Sequence, residues 1–65
     1  MEAWQQRVVD EKNELTDKIE KLNRFLGLKN DACDALNSAE ITRLRRQRYL
    51  MVLYVMVLDE RIENF

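Results

Sequence analysis

The chain has 65 residues and a mass of 7.8 kDa; 46% of it is hydrophobic and 35% charged, with one glycine and no proline. So little turn-forming material excludes an all-β fold, and the size admits one small domain, residues 1–65. Eleven basic residues against twelve acidic ones, with no histidine, argue against a polybasic nucleic-acid or membrane-surface protein and remove the usual general base and commonest metal ligand.

Taken in chain order, the Met1–Arg7 segment carries an acid and no apolar run, unlike a secretory signal. A first helix is predicted over residues 3–26, because Trp4, Val8, Leu15, Ile19, Leu22 and Leu26 recur on one helical face, widened by Val9 and Phe25. Its other side reads Asp10, Glu11, Glu14, Asp17, Lys18 and Lys21, with Glu14–Lys18 and Asp17–Lys21 at the favourable i, i+4 spacing. Gly27 is expected to end this helix as a left-handed cap residue. Residues 27–37 form the connection, and 31–36 admit either a turn or one short helical turn.

A second helix is predicted over residues 38–64. Asn37 followed by Glu40 is a capping-box pattern, and Leu36 and Ile41 are placed for a hydrophobic staple across it. The helix then carries Ile41, Leu44, Arg48, Met51, Val55, Leu58, Ile62 and Phe65 at alternating spacings of three and four. Arg48 alone breaks this apolar stripe, and it is expected to meet Glu14, Asp17 or Glu20 across the seam. The two helices, roughly 36 and 40 Å long at 1.5 Å per residue, match as an antiparallel hairpin.

The uninterrupted apolar run from Tyr49 to Leu58 spans roughly 15 Å as a helix, about half a bilayer core. It is too short to cross a membrane and too apolar for one neighbouring helix to cover. Leu50, Leu53, Tyr54 and Val57 stand beside the seam positions as a second stripe, so the expected fold is all-α: a two-helix hairpin assembling through this stripe into a homo-oligomeric bundle.

Arg43, Arg45, Arg46 and Arg48 place four guanidiniums in six residues near the start of the second helix, where cations oppose the macrodipole. A planar guanidinium suits phosphate or carboxylate, and Tyr49 stands one turn beyond Arg45 and Arg46 as a stacking ring. Arg43, Arg45, Arg46 and Tyr49 are therefore the candidate ligand-binding residues. Pairing of the arginines with acids of a packed helix is the structural alternative. Trp4 is read as a core or interface aromatic, and Cys33, the single cysteine, suits a reducing cytoplasm and is assigned no role. The interleaved acids and lysines of the first helix read as a solvated face rather than a metal site. There is no P-loop, catalytic triad or zinc motif, so neither enzymatic activity nor a cofactor is expected. A long connection and no third helix argue against a DNA-binding helix-turn-helix.

The pattern W-x-x-R-V-x-x-E-K-x-E-L-x-x-K-I-x-K-L-x-x-F from Trp4 to Phe25, with R-L-x-x-Q-x-x-x-M-x-x-Y-x-x-V-L-x-x-R-I from Arg43 to Ile62, resembles a family of very short proteins of tailed phages and prophages. The hairpin is also similar to those of phage anti-defence sponges, the Thoeris and CBASS antagonists. That resemblance implies an oligomer in the host bacterial cytoplasm that sequesters a cyclic-nucleotide or ADP-ribose-derived immune signal. Two other functions compete with it. One is a protein-binding inhibitor or adaptor that docks a helix face onto a host defence protein; the other is a structural coiled-coil accessory.

Overall fold

A computed structural model describes residues 1–27 and 36–65. Within them the chain is two helices, α1 (Ala3–Gly27) and α2 (Ser38–Glu63), packed against each other. Contacts of Trp4 with Phe65 and of Asn23 with Arg48 make the pair antiparallel. Cys33 and residues 31–35, the segment weighed for a helical turn, lie outside the described residues; Leu36 sits in a bend.

Local chemistry accounts for most helix ends. Ahead of α1, the Gln5 side-chain oxygen accepts the Glu2 N–H at 2.7 Å, which satisfies a donor the helix itself leaves unpaired. The far end departs from expectation. Gly27 is the last residue of α1 and has no positive φ, so it extends the helix where a left-handed cap had been predicted. Asn37 caps α2 as read: its backbone is extended (φ −73°, ψ 162°) and its Oδ1 accepts the Glu40 N–H at 2.8 Å. The Glu40 carboxylate, cast as the reciprocal half of a capping box, turns forward to Arg43 instead, 3.0 Å from both Nε and a terminal nitrogen. At the other end α2 stops at Glu63, and the Asn64 side chain donates to the Glu60 carbonyl at 2.7 Å.

The seam is the predicted stripe. Leu58 is buried at 1% exposure, and Ile41, Leu44, Arg48, Met51, Val55 and Ile62 are half-buried. From α1 come Val8, buried at 7%, with Leu15, Ile19, Leu22, Phe25 and Leu26 half-buried. The rings of Trp4 and Phe65 close one end edge-to-face, centroids 5.2 Å apart. The molecule measures 45 × 16 × 14 Å, a rod two helices thick, so nearly every seam residue keeps one edge in water.

Polar residues interrupt the seam once on each helix. Lys12 fills the gap between Val8 and Leu15 and pairs with Asp59 across the interface. Arg48 donates to the Asn23 amide oxygen at 3.3 Å, which corrects the expected pairing with Glu14, Asp17 or Glu20. The register lies further along α1 than charge matching alone suggested. The expected Glu14–Lys18 and Asp17–Lys21 pairs do not close either: among the described residues the ion pairs are Lys12–Asp59 and Glu40–Arg43.

Opposite the seam, α2 keeps a large apolar surface. Tyr49, Leu50, Tyr54, Met56 and Val57 are 64, 57, 49, 55 and 54% exposed, with Val52 and Leu53 near 42 and 40%. No helix of the described residues is long and apolar enough to cross a membrane.

Candidate functional site

The four candidate residues occupy the first half of α2, and all four are exposed. With about 100° between successive residues, they fan around the helix in the order Arg43, Arg46, Tyr49, Arg45. The outer two point about 160° apart. One chain therefore does not gather all four. Arg43 and Arg46 join Gln47, Leu50, Met51 and Tyr54 around an open groove of about 330 Å³. That volume lies at the lower edge of small-molecule sites. Arg45 and Tyr49 belong to the adjoining face. Glu40 occupies one edge of the Arg43 guanidinium, while no carboxylate of the described residues lies within 4.0 Å of Arg45 or Arg46.

Tyr54, expected at an oligomer interface, ties the two helices of one chain together. Its hydroxyl donates to Glu11 Oε1 at 2.6 Å. That hydrogen bond, with partial desolvation and the charge of Glu11, holds the phenol above its ordinary value of 10.0, while Arg61 pulls it back. The ring remains half in water.

Two further recesses continue along this flank. One is lined by Glu11, Glu14, Leu15, Lys18 and Tyr54; the next, at the end of the rod, by Trp4, Arg7, Val8, Glu11 and Arg61. The last is a cluster that reading the chain residue by residue missed. Arg7 and Arg61 stand near opposite ends of the sequence, and only the antiparallel register brings them to one recess beside an indole. The signal available was their comparable distance from the two chain ends. No group of three or more metal-ligating side chains forms among the described residues.

What the face offers chemically is guanidinium donors beside aromatic and aliphatic surface, a combination suited to an anion with an apolar or stacking part. No curated protein and no solved structure matches the chain. A family model does, over residues 2–64, and its description is Sequestin. Sequestration is a binding activity rather than a catalytic one. It agrees with the resemblance to sponges drawn from the sequence, and the match spans nearly the whole chain: the chain belongs to the Sequestin family.

Proposed function

We infer that this chain is a non-enzymatic phage protein acting in the host bacterial cytoplasm, where it oligomerises through α2 and sequesters a phosphorylated nucleotide immune signal. The observation that carries the reading is the pairing of exposed guanidiniums with an exposed apolar and aromatic face on one helix: Arg43, Arg45, Arg46 and Tyr49 beside Leu50, Leu53, Tyr54 and Val57. The arginines take phosphate oxygens, Tyr49 offers a ring for a base, and the aliphatic stripe brings copies together. The family assignment supports binding as the activity.

Calorimetry with cyclic dinucleotides, cyclic trinucleotides and cyclic ADP-ribose isomers tests this directly. One member of the panel should bind, and Arg45→Glu with Arg46→Glu should abolish binding while the helical circular dichroism stays unchanged. Charge-assisted hydrogen bonds contribute about 1.5–3 kcal/mol each, so losing two costs at least a hundredfold in affinity. Silence across the panel overturns the reading. The same exposed α2 face favours a second reading, docking onto a host defence protein. Capture of one stoichiometric partner, unaffected by the arginine substitutions, would select it.

A further inference from the structure

The face of α2 turned away from α1 has its own seven-residue pattern: Thr42, Arg46, Tyr49, Leu53, Met56, Glu60 and Glu63, spaced 4-3-4-3-4-3 and all exposed. Leu50 and Val57 flank it. The middle is apolar and the two ends carry opposite charge, arginines at the start and glutamates at the finish. A parallel partner would set Arg46 against Arg46 and Glu60 against Glu60. An antiparallel partner centred on Leu53 sets Arg46 against Glu60, Arg45 against Glu63, Leu50 beside Val57 and Tyr49 beside Met56. At roughly 200 Å² for a fully exposed large side chain, the exposed fractions of Tyr49, Leu50, Leu53, Met56 and Val57 amount to about 500 Å² per copy. Complete burial of that surface on both copies reaches the ~1,000 Å² at which specific interfaces begin. Charge complementarity selects a second copy of this chain as the occupant, and the area suffices for it.

We propose that two copies pair antiparallel through α2 about a two-fold axis at Leu53, and that this pairing assembles two composite anion sites. Each site joins the Arg43–Arg46 groove of one copy to the Trp4–Arg7–Arg61 recess of the other. Arg43 and Arg61 lie eighteen residues apart, five whole helical turns, so both project to the same flank. The two-fold axis keeps that flank common to both copies and brings Arg43 of one within about 3 Å, along the helix, of Arg61 of the other.

On the opposite flank Glu63 answers Arg45. On the Arg43 flank the carboxylates of Glu40 and Glu11 are held by Arg43 and Tyr54 within their own chains. They offset part of the charge of Arg43 and Arg46 of one copy and Arg7 and Arg61 of the other, and the guanidiniums in excess repel across the dimer. An anion between them relieves that repulsion. Glu60 holds one edge of Arg46 and leaves its remaining donors turned toward the site. Trp4 supplies the stacking surface, so the ligand class is a phosphorylated nucleotide. In that respect the site rests on the proposed function and narrows it: Arg43 and Arg46 carry the phosphates, and the second copy contributes Arg7, Arg61 and Trp4. Arg45 and Tyr49 act in the contact between copies instead, so that Arg45→Glu with Arg46→Glu removes binding through the pairing as well as through the site.

The geometry and the site are tested separately in the full-length chain with Cys33→Ser. Under mild oxidation Leu53→Cys should form a covalent dimer, whereas Leu50→Cys or Val57→Cys alone should not, and the Leu50→Cys, Val57→Cys double variant should. Crosslinking at Leu50 and Val57 singly would mean a parallel dimer, and no crosslinking at Leu53 would mean no such axis; either overturns the proposal.

The site is read by complementation, with Trp4 fluorescence and calorimetry as readouts. Arg43→Gln in one chain, or Arg7→Gln with Arg61→Gln in another, should each weaken binding about tenfold or more as a homodimer. Refolded together in equal amounts, the two variants should regain about a quarter of the wild-type sites, because half the dimers are mixed and each holds one intact site. The probe is the tightest nucleotide of the panel. If every nucleotide is silent the proposed function fails, and inorganic triphosphate then reads the composite site alone. Wild-type binding without recovery on mixing, or no binding of either probe, overturns the composite site.

Discussion

Leu58→Ala probes the seam where it is tightest. Leu58 is 1% exposed and lies on the stripe that α2 turns toward α1. Truncating a buried leucine costs about 2–5 kcal/mol, the transfer of three carbons plus the cavity they leave. A rod only two helices thick closes partly around the gap, so about 2–3 kcal/mol is expected here. The whole chain, at ~0.05–0.15 kcal/mol per residue, has about 3–10 kcal/mol to lose. Thermal unfolding followed by helical circular dichroism should therefore fall by about 10–20 °C. Leu50→Ala is the control. With 57% of Leu50 already in water, the fold of a single chain should lose about 1 kcal/mol or less. In an assembled protein, whose melting temperature depends on protein concentration, the same substitution costs more. A Leu58→Ala protein that melts within about 2 °C of the parent would refute the seam as described.

Two other outcomes follow from single contacts. Asn37→Ala removes the side chain that accepts the Glu40 N–H, so it should destabilise α2 by about 1 kcal/mol in chemical denaturation, with Asn37→Asp close to the parent. The Tyr54 phenol is held above its ordinary value, so its contribution to stability is fully present below pH ~10 and is lost as pH rises through the folded value. Phenolate absorbance should show one tyrosine titrating late, and Glu11→Gln or Tyr54→Phe should abolish that late phase.

Much of the hairpin was legible in the letters. The stripe from Ile41 to Ile62 reads the same in sequence and in structure because a helix places every third and fourth residue on one side regardless of what it meets. The Asn37 cap was legible for the same reason: donor and acceptor are three residues apart. The Gly27 cap and the Glu40 half of the capping box were misread. A helix end and a flexible carboxylate each have several local options of similar free energy, and neighbours choose among them; Glu40 has Arg43 within reach.

The candidate site was legible only in part. Arg43, Arg46 and Tyr54 meet in one groove along the exposed side of a single helix, which spacing alone predicts. Arg7 and Arg61 come together because of the register between helices, and no local pattern encodes that register.

The sequence by itself determined two amphipathic helices of matched length, the stripe each one buries, and an apolar face left over on the second. All three follow from periodicity along one chain. Tertiary structure decided which residues meet: Lys12 with Asp59, Asn23 with Arg48, Glu11 with Tyr54, Trp4 with Phe65. The physical reason is that a seven-residue repeat resembles itself after a slide of two turns. The apolar match is then nearly unchanged, and only side-chain contacts that do not repeat can select the register.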